Sequence, residues 1–146
     1  MTKRNYHTVR CVLRNADRFL LVVHSNWQRV NRGKWGLPGG RVDWGEEPER
    51  TAHRELDEEL GIRVPALIEV GDYPYKGALH RVYGGDFTGA IASFDDDELL
   101  EIAWHTLDDV VRLARSDKLH TGFELTAITD YLRVLGLDRS APPAAQ

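Results

Sequence analysis

Gly40-Arg-Val-Asp-Trp-Gly-Glu46 runs through Glu47 to His53 into Arg54-Glu55-Leu56-Asp57-Glu58-Glu59-Leu60-Gly61-Ile62. Pro48 suits a first helical turn, where its missing N–H costs nothing, and Gly61 suits the position just past a helix end, so a helix is predicted over Pro48–Leu60. Glu55, Glu58 and Glu59 then stand at i, i+3 and i+4 and share one face. At about 100° per residue, Ala52, Leu56 and Leu60 form the apolar stripe, lying roughly 60° to 140° round from Glu55. On that wheel Glu59 falls near 40°, bordering the buried face, and Glu58 near −60°, while Asp57 and Arg50 lie on the solvent side.

Two readings of this helix compete. In one it is a solvated charged surface, with Arg54–Glu58 an ordinary neighbour pair. That reading puts the acids opposite the apolar stripe, which is only partly so. In the other, the acids bind a hard cation. Three carboxylates on one face repel by a few tenths of a kcal/mol per pair. A divalent ion with a preference for oxygen ligands, Mg²⁺ or Mn²⁺, relieves that repulsion. Arg54, always charged, is placed to hold a carboxylate.

Outward from this helix, the order is strand, strand, helix, strands, helices, which predicts an α/β (α+β) mixed sheet with helices on its faces. Strands are expected at Tyr6–Leu13 and Phe19–Val23 around an Asn15-Ala16-Asp17 turn, at Val64–Val70 and at Leu99–His105. Lys76–Thr88 reads as a strand region interrupted at Gly84-Gly85, with Gly89–Phe94 as an extension. Ser25–Lys34 reads as a loop, and Trp35–Val42 as short strand pieces around a tight bend. Helices are expected at Leu107–Ala114 and Phe123–Leu135, the latter from the spacing of Leu125, Ile128, Leu132 and Leu135. A single domain over 1–139 and a disordered Pro/Ala-rich tail over 140–146 complete the expectation.

Composition narrows the function class. The 146 residues are 42% apolar and 29% charged, with a net charge of −4. This is an ordinary globular balance that argues against stable nucleic-acid binding. There is no run of 18 apolar residues for a membrane span. The one cysteine, Cys11, is expected to be a small core residue, and a cytoplasmic location follows.

The quoted segment resembles the Nudix box: Gly, five residues, Glu, seven residues, Arg-Glu, an aliphatic, any residue, Glu-Glu, any residue, Gly, an aliphatic. Gly40, Glu46, Arg54, Glu55, Leu56, Glu58, Glu59, Gly61 and Ile62 fill every specified position. With average residue frequencies the chance of such a match is on the order of 10⁻⁸. The resemblance implies a Nudix fold, a mixed sheet sandwiched between helices. It also implies MutT-like metal-dependent hydrolysis of a diphosphate linkage in a nucleoside diphosphate–X substrate. In that case Glu58 and Glu59 are the principal ligands of Mg²⁺ (or Mn²⁺), Glu55 is a further ligand or the general base, and Arg54 orients them. Glu46 supports the loop and helix, and a carbonyl of Gly39 or Gly40 is the non-carboxylate ligand.

Some members of the family draw a base or ligand from a later loop, and Glu98 and Glu101 are candidates here. Arg29, Arg32 and Lys34 are candidates for substrate phosphates. Trp27, Tyr73, Tyr75 and Tyr83 are candidates for base stacking, each weighed against plain packing. His53 reads as structural, and His7, His24, His80, His105 and His120 show no joint metal-ligand spacing. Asp95–Asp97 reads as a polar turn. Nucleoside triphosphates are the favoured substrates. ADP-ribose, nucleotide sugars, dinucleoside polyphosphates and a nucleotide-sensing module without turnover are the alternatives. A monomer or homodimer acting on a nucleotide-like small molecule is expected.

Overall fold

The computed structural model describes residues 6–25 and 31–137. The expected tail and the loop positions Trp27 and Arg29 lie outside them. β1 (Tyr6–Asn15) and β2 (Arg18–His24) form a hairpin whose turn holds Ala16 at φ 56°. After β3 (Gly39–Arg41) comes α1 (Pro48–Leu60), with the bounds that Pro48 and Gly61 predict. Gly61 adopts φ 63°, and its N–H donates to the Asp57 carbonyl at 2.9 Å. β4 (Ile68–Tyr75), β5 (Ala78–Asp86) and β6 (Leu99–Thr106) follow, then α2 (Leu107–Arg115) and α3 (Glu124–Val134). A reciprocal capping box between Thr106 and Asp109 starts α2.

Three local expectations are corrected. The fourth strand starts at Ile68, not Val64. Val64 and Leu67 are buried in an extended loop, where their side chains fill the core without strand pairing. β5 runs through Gly84-Gly85 unbroken, because these glycines make room and do not break the strand. A Cβ on Gly84 would lie 2.3 Å from the Tyr131 ring, and one on Gly85 would lie 2.6 Å from Val64 Cγ1. Residues 89–94 form no strand; the chain leaves β5 as an irregular segment in which Phe94 packs on the core.

The strands form one mixed sheet in the order β4-β5-β1-β2-β6, with β3 pairing β1. β1 and β5 are parallel, and the other pairs are antiparallel. One feature of the pairing positions the site. β1 and β2 pair only near their turn, at Arg14–Phe19 and Asn15–Arg18. Beyond it they splay, and residues 36–41 fill the gap. Val22 and Gly36 exchange backbone hydrogen bonds at 2.8 Å, and Cys11 N–H donates to the Pro38 carbonyl at 2.8 Å.

Each face of the sheet has its own core. On one, Ala52, Leu56 and Leu60 of α1 pack on Val9, Cys11, Leu13, Leu20 and Val22. On the other, Val110 of α2 and Ala127, Ile128 and Tyr131 of α3 pack on Val12, Phe19, Leu21 and Val82. The helix-on-sheet-on-helix sandwich expected from the order of elements is therefore present. Cys11 is fully buried, and burial pushes its thiol up to about 12, so it is an inert core residue. No described helix is long and apolar enough to cross a membrane.

Leu56 is fully buried at the centre of the α1 interface. Leu56→Ala is expected to lower unfolding stability by about 2–5 kcal/mol in a urea titration.

Candidate active site

The splay of β1 and β2 opens a cleft of about 390 Å³. Its walls include Glu55, Glu58 and Glu59 of α1, Gly39 and Gly40 of β3, His24 of β2, Arg10 of β1, and Asp95 and Glu98 before β6. The helical wheel is borne out in detail. Glu59 is only 2% exposed, Glu55 is half-buried and Glu58 is exposed. Asp57 and Arg50 face solvent.

Glu59 is the most constrained of the three. One carboxylate oxygen lies 2.7 Å from His24 Nε2, and the other accepts the Gly39 N–H at 3.2 Å. The glycine pair makes this approach possible. Gly39 sits at φ 150°, and a Cβ there would fall 2.0 Å from the Val9 carbonyl oxygen. A Cβ on Gly40 would fall 2.4 Å from the Glu55 carboxyl carbon. Burial first, and then the charge of Glu59, pushes the Glu55 carboxyl up to about 7, against the pull of Arg54.

Arg54 is the hub on the solvent side. It donates to Glu46 through Nε at 2.9 Å and Nη2 at 3.0 Å, a bidentate pair. Its Nη1 donates to Glu55 at 3.0 Å and Glu58 at 3.2 Å, and Nη2 also reaches the Arg41 carbonyl at 3.1 Å. Glu46 further accepts from the Thr51 hydroxyl at 2.7 Å and the Asp43 N–H at 3.2 Å. One guanidinium thus ties the β3–α1 loop to two of the helix acids. The Arg54 bonds, helped by Thr51 and the Asp43 N–H, hold the Glu46 carboxyl down to about 2.

The outlying candidates divide. Glu98 lines the cleft, and His24, Glu59 and Glu98 can each offer a ligand atom within 4.8 Å of the others. Glu101 does not join them. Ile102 and Trp104 pair with Val22 and Leu20 and face α1 with them, so strand alternation leaves Glu101 exposed on the opposite face. Arg32 is exposed and does not line the cleft, and Lys34 pairs with Asp117 at 3.3 Å. The cause is backbone pairing of Trp35 with Lys118 and His120, which draws this segment toward the loop before α3. Tyr73 stacks on Phe123 and donates to Asp130, and Tyr83 is buried in the α1-side core, so both serve packing. The Tyr75 hydroxyl accepts from Asn31, and its ring meets His80 edge-on. Asp95–Asp97 is the polar turn expected, with the Asp97 N–H donating to the Asp95 carboxylate at 3.0 Å.

Two cleft residues escape a reading based on spacing. His24 is remote from the box in sequence, and the only hint is its place at the polar end of a buried strand. Arg10 stands between Val9 and Cys11 in a strand buried on both faces, where a charge is out of place.

The donor set is rich in carboxylate oxygen with one imidazole, which suits a divalent cation of the Mg²⁺ or Mn²⁺ kind. The glycine cradle leaves the carboxylates room to approach it. The family description "NUDIX domain" matches residues 5–124. The chain belongs to the Nudix family. It is 38% identical over 110 residues to the CMP-5'-(N-acetyl-N-hydroxy-3-aminopropyl)phosphonate hydrolase of Streptomyces rubellomurinus, covering 70% of this chain and 51% of that one. Its fold is similar to that of a MutT NUDIX hydrolase from Burkholderia pseudomallei: 28% identity, TM-score 0.61, 73% of this chain and 87% of that one. The NUDIX domain of Shewanella oneidensis NrtR, solved with ADP ribose, shares the fold at 23% identity and TM-score 0.73, over 92% and 90% of the two chains. The chain spans about half the length of the curated relatives it matches.

The depressed Glu46 carboxyl generates a prediction with a definite sign. The stability it contributes is complete above its ordinary value of 4.5 and is lost as pH falls from there toward about 2. Glu46→Gln is expected to destabilise the protein by about 2 kcal/mol at pH 7. The difference from wild type should narrow as pH falls below about 4.5 and be mostly lost only once pH reaches about 2, in a series of urea titrations.

Proposed function

We propose that this chain is a divalent-cation-dependent hydrolase of a diphosphate linkage in a nucleotide-like substrate. The observation that carries the reading is the convergence of Glu55, Glu58 and buried Glu59 on one cleft beside the Gly39-Gly40 backbone. In this reading Glu58 and Glu59 hold the cation, with Glu55 and a carbonyl of Gly39 or Gly40 as further ligands. A cation bound there supplies neutralisation of the diphosphate charge and a more acidic water.

The chain's own residues supply the rest. Arg54, fixed by Glu46, keeps Glu55 and Glu58 aimed at the cleft and prevents their mutual repulsion from splaying them. His24 and the Gly39 N–H fix the orientation of Glu59. A carboxylate of the cleft, Glu55 or Glu98, accepts a proton from the attacking water. Gly39 and Gly40 let the substrate's phosphates approach the backbone without a side chain between.

Nucleoside triphosphates are the first substrates to assay, followed by ADP-ribose, nucleotide sugars and dinucleoside polyphosphates. The named relatives differ in what they act on or bind, a CMP-linked phosphonate in one and ADP ribose in another. The X group is therefore a matter for the loops around the cleft.

Phosphate or pyrophosphate release should be measured across that panel with Mg²⁺ and with Mn²⁺. Turnover is expected to require the cation, to vanish in excess chelator, and to fall about 100-fold or more in Glu58→Gln and in Glu59→Gln. Activity that persists in chelator, or in both variants, contradicts the reading.

A further inference from the structure

Arg10 is 8% exposed on β1, and its neighbours in sequence, Val9 and Cys11, point into the α1-side core. By strand alternation Arg10 therefore leaves the sheet on the α3 side, as Val12 does. It is nonetheless one of the residues that line the cleft of the glutamates, beside Gly39, with which it pairs.

Its hydrogen bonding is incomplete. Nη1 reaches the Leu37 carbonyl at a long 3.4 Å, and the buried Nε has no partner among the described residues. No carboxylate lies within ion-pair distance of it among those residues. Glu59, Glu124 and Glu55 lie near enough to favour its charge, but burial outweighs them and pulls its pKa down. A buried guanidinium with an orphaned N–H is costly and ordinarily demands a partner.

The groups around Arg10 do not supply one. Glu124 is itself satisfied by the Thr121 and Gly122 N–H groups. His80 and His120 are kept neutral, pushed down to about 4 and about 3 by burial and then by Arg10. His80 Nδ1 is the other buried side-chain nitrogen without a partner among the described residues. Among the described residues that line the cleft, Arg10 is thus the one buried arginine; Arg41 also lines it but is exposed, and the acids there are Asp43, Glu55, Glu58, Glu59, Asp95 and Glu98.

We propose that Arg10 is a substrate-positioning residue whose Nε–H and adjacent Nη–H donate to non-bridging oxygens of the substrate's diphosphate. This rests on the diphosphate reading of the cleft. A bound cation among the glutamates and Arg10 in the same cleft would hold the same anion together. The planar fork of a guanidinium suits two oxygens of one phosphoryl group, whereas an ammonium offers a point charge.

The test uses methylene diphosphonate, a non-hydrolysable diphosphate mimic, titrated calorimetrically into the full chain with saturating Mg²⁺. Arg10→Met is expected to weaken binding about thirtyfold. Arg10→Lys should recover only part of that loss. The melting temperature of ligand-free Arg10→Met should be unchanged or higher, since removing an uncompensated buried charge relieves strain on the fold. If Arg10→Met binds the diphosphonate as wild type does, or if Arg10→Lys restores binding fully, the proposal fails. A lower melting temperature with unchanged affinity would assign Arg10 a structural role instead. Because binding needs no turnover, failure here is separate from failure of the hydrolase reading, which rests on product release in the glutamate variants.

Discussion

A carboxylate buried to 2% exposure costs several kcal/mol unless it is compensated, and Glu59 is such a group. Its compensation comes from two parts of the chain distant from it in sequence. His24 lies at the end of β2, the Gly39 N–H in β3, and Glu59 itself on the inner edge of α1. All three meet only because β1 and β2 part company beyond their turn and let residues 36–41 pass between them. Close the hairpin and there is no cleft. Place a side chain at Gly39 and β3 cannot lie against β1, since its Cβ would overlap the Val9 backbone.

Around that buried carboxylate the charges are arranged in layers. Outside it, Arg54 and Glu46 form a rigid pair that ties the β3–α1 loop to the helix. Arg54 then has donors left for Glu55 and Glu58. The acids of the helix are consequently held at fixed positions while still repelling one another. That state is unfavourable for an empty surface and favourable for one that receives a cation. Arg10, which lines the same cleft, has the opposite character, a cation short of acceptors among the described residues.

Much of this is legible in the sequence, and for identifiable reasons. The bounds of α1 follow from Pro48 and Gly61, and the burial order Glu59, Glu55, Glu58 follows from the angular position of each relative to Ala52, Leu56 and Leu60. Both depend only on helix geometry. What escapes depends on contacts distant in sequence. His24 meets Glu59 across 35 positions, and nothing in their spacing announces it. Gly84-Gly85 reads locally as a break in a strand, but it is the Tyr131 ring and Val64 that require those glycines. The start of β4 shifts for a similar reason, because Val64 is apolar enough for a strand yet is used to fill the core. Lys34 reads as a phosphate ligand on charge alone and is taken up by Asp117 once the loops fold together.

The account stands or falls on whether the glutamate cleft binds a divalent cation. The direct measurement is a crystal structure of the chain grown with Mn²⁺, with the ion located by its anomalous scattering. The account predicts one or more Mn²⁺ ions within about 2.5 Å of carboxylate oxygens of Glu58 and Glu59, beside the Gly39-Gly40 backbone. A cleft without Mn²⁺ at saturating concentration, or Mn²⁺ bound only at other acids such as Asp95–Asp97, would contradict it.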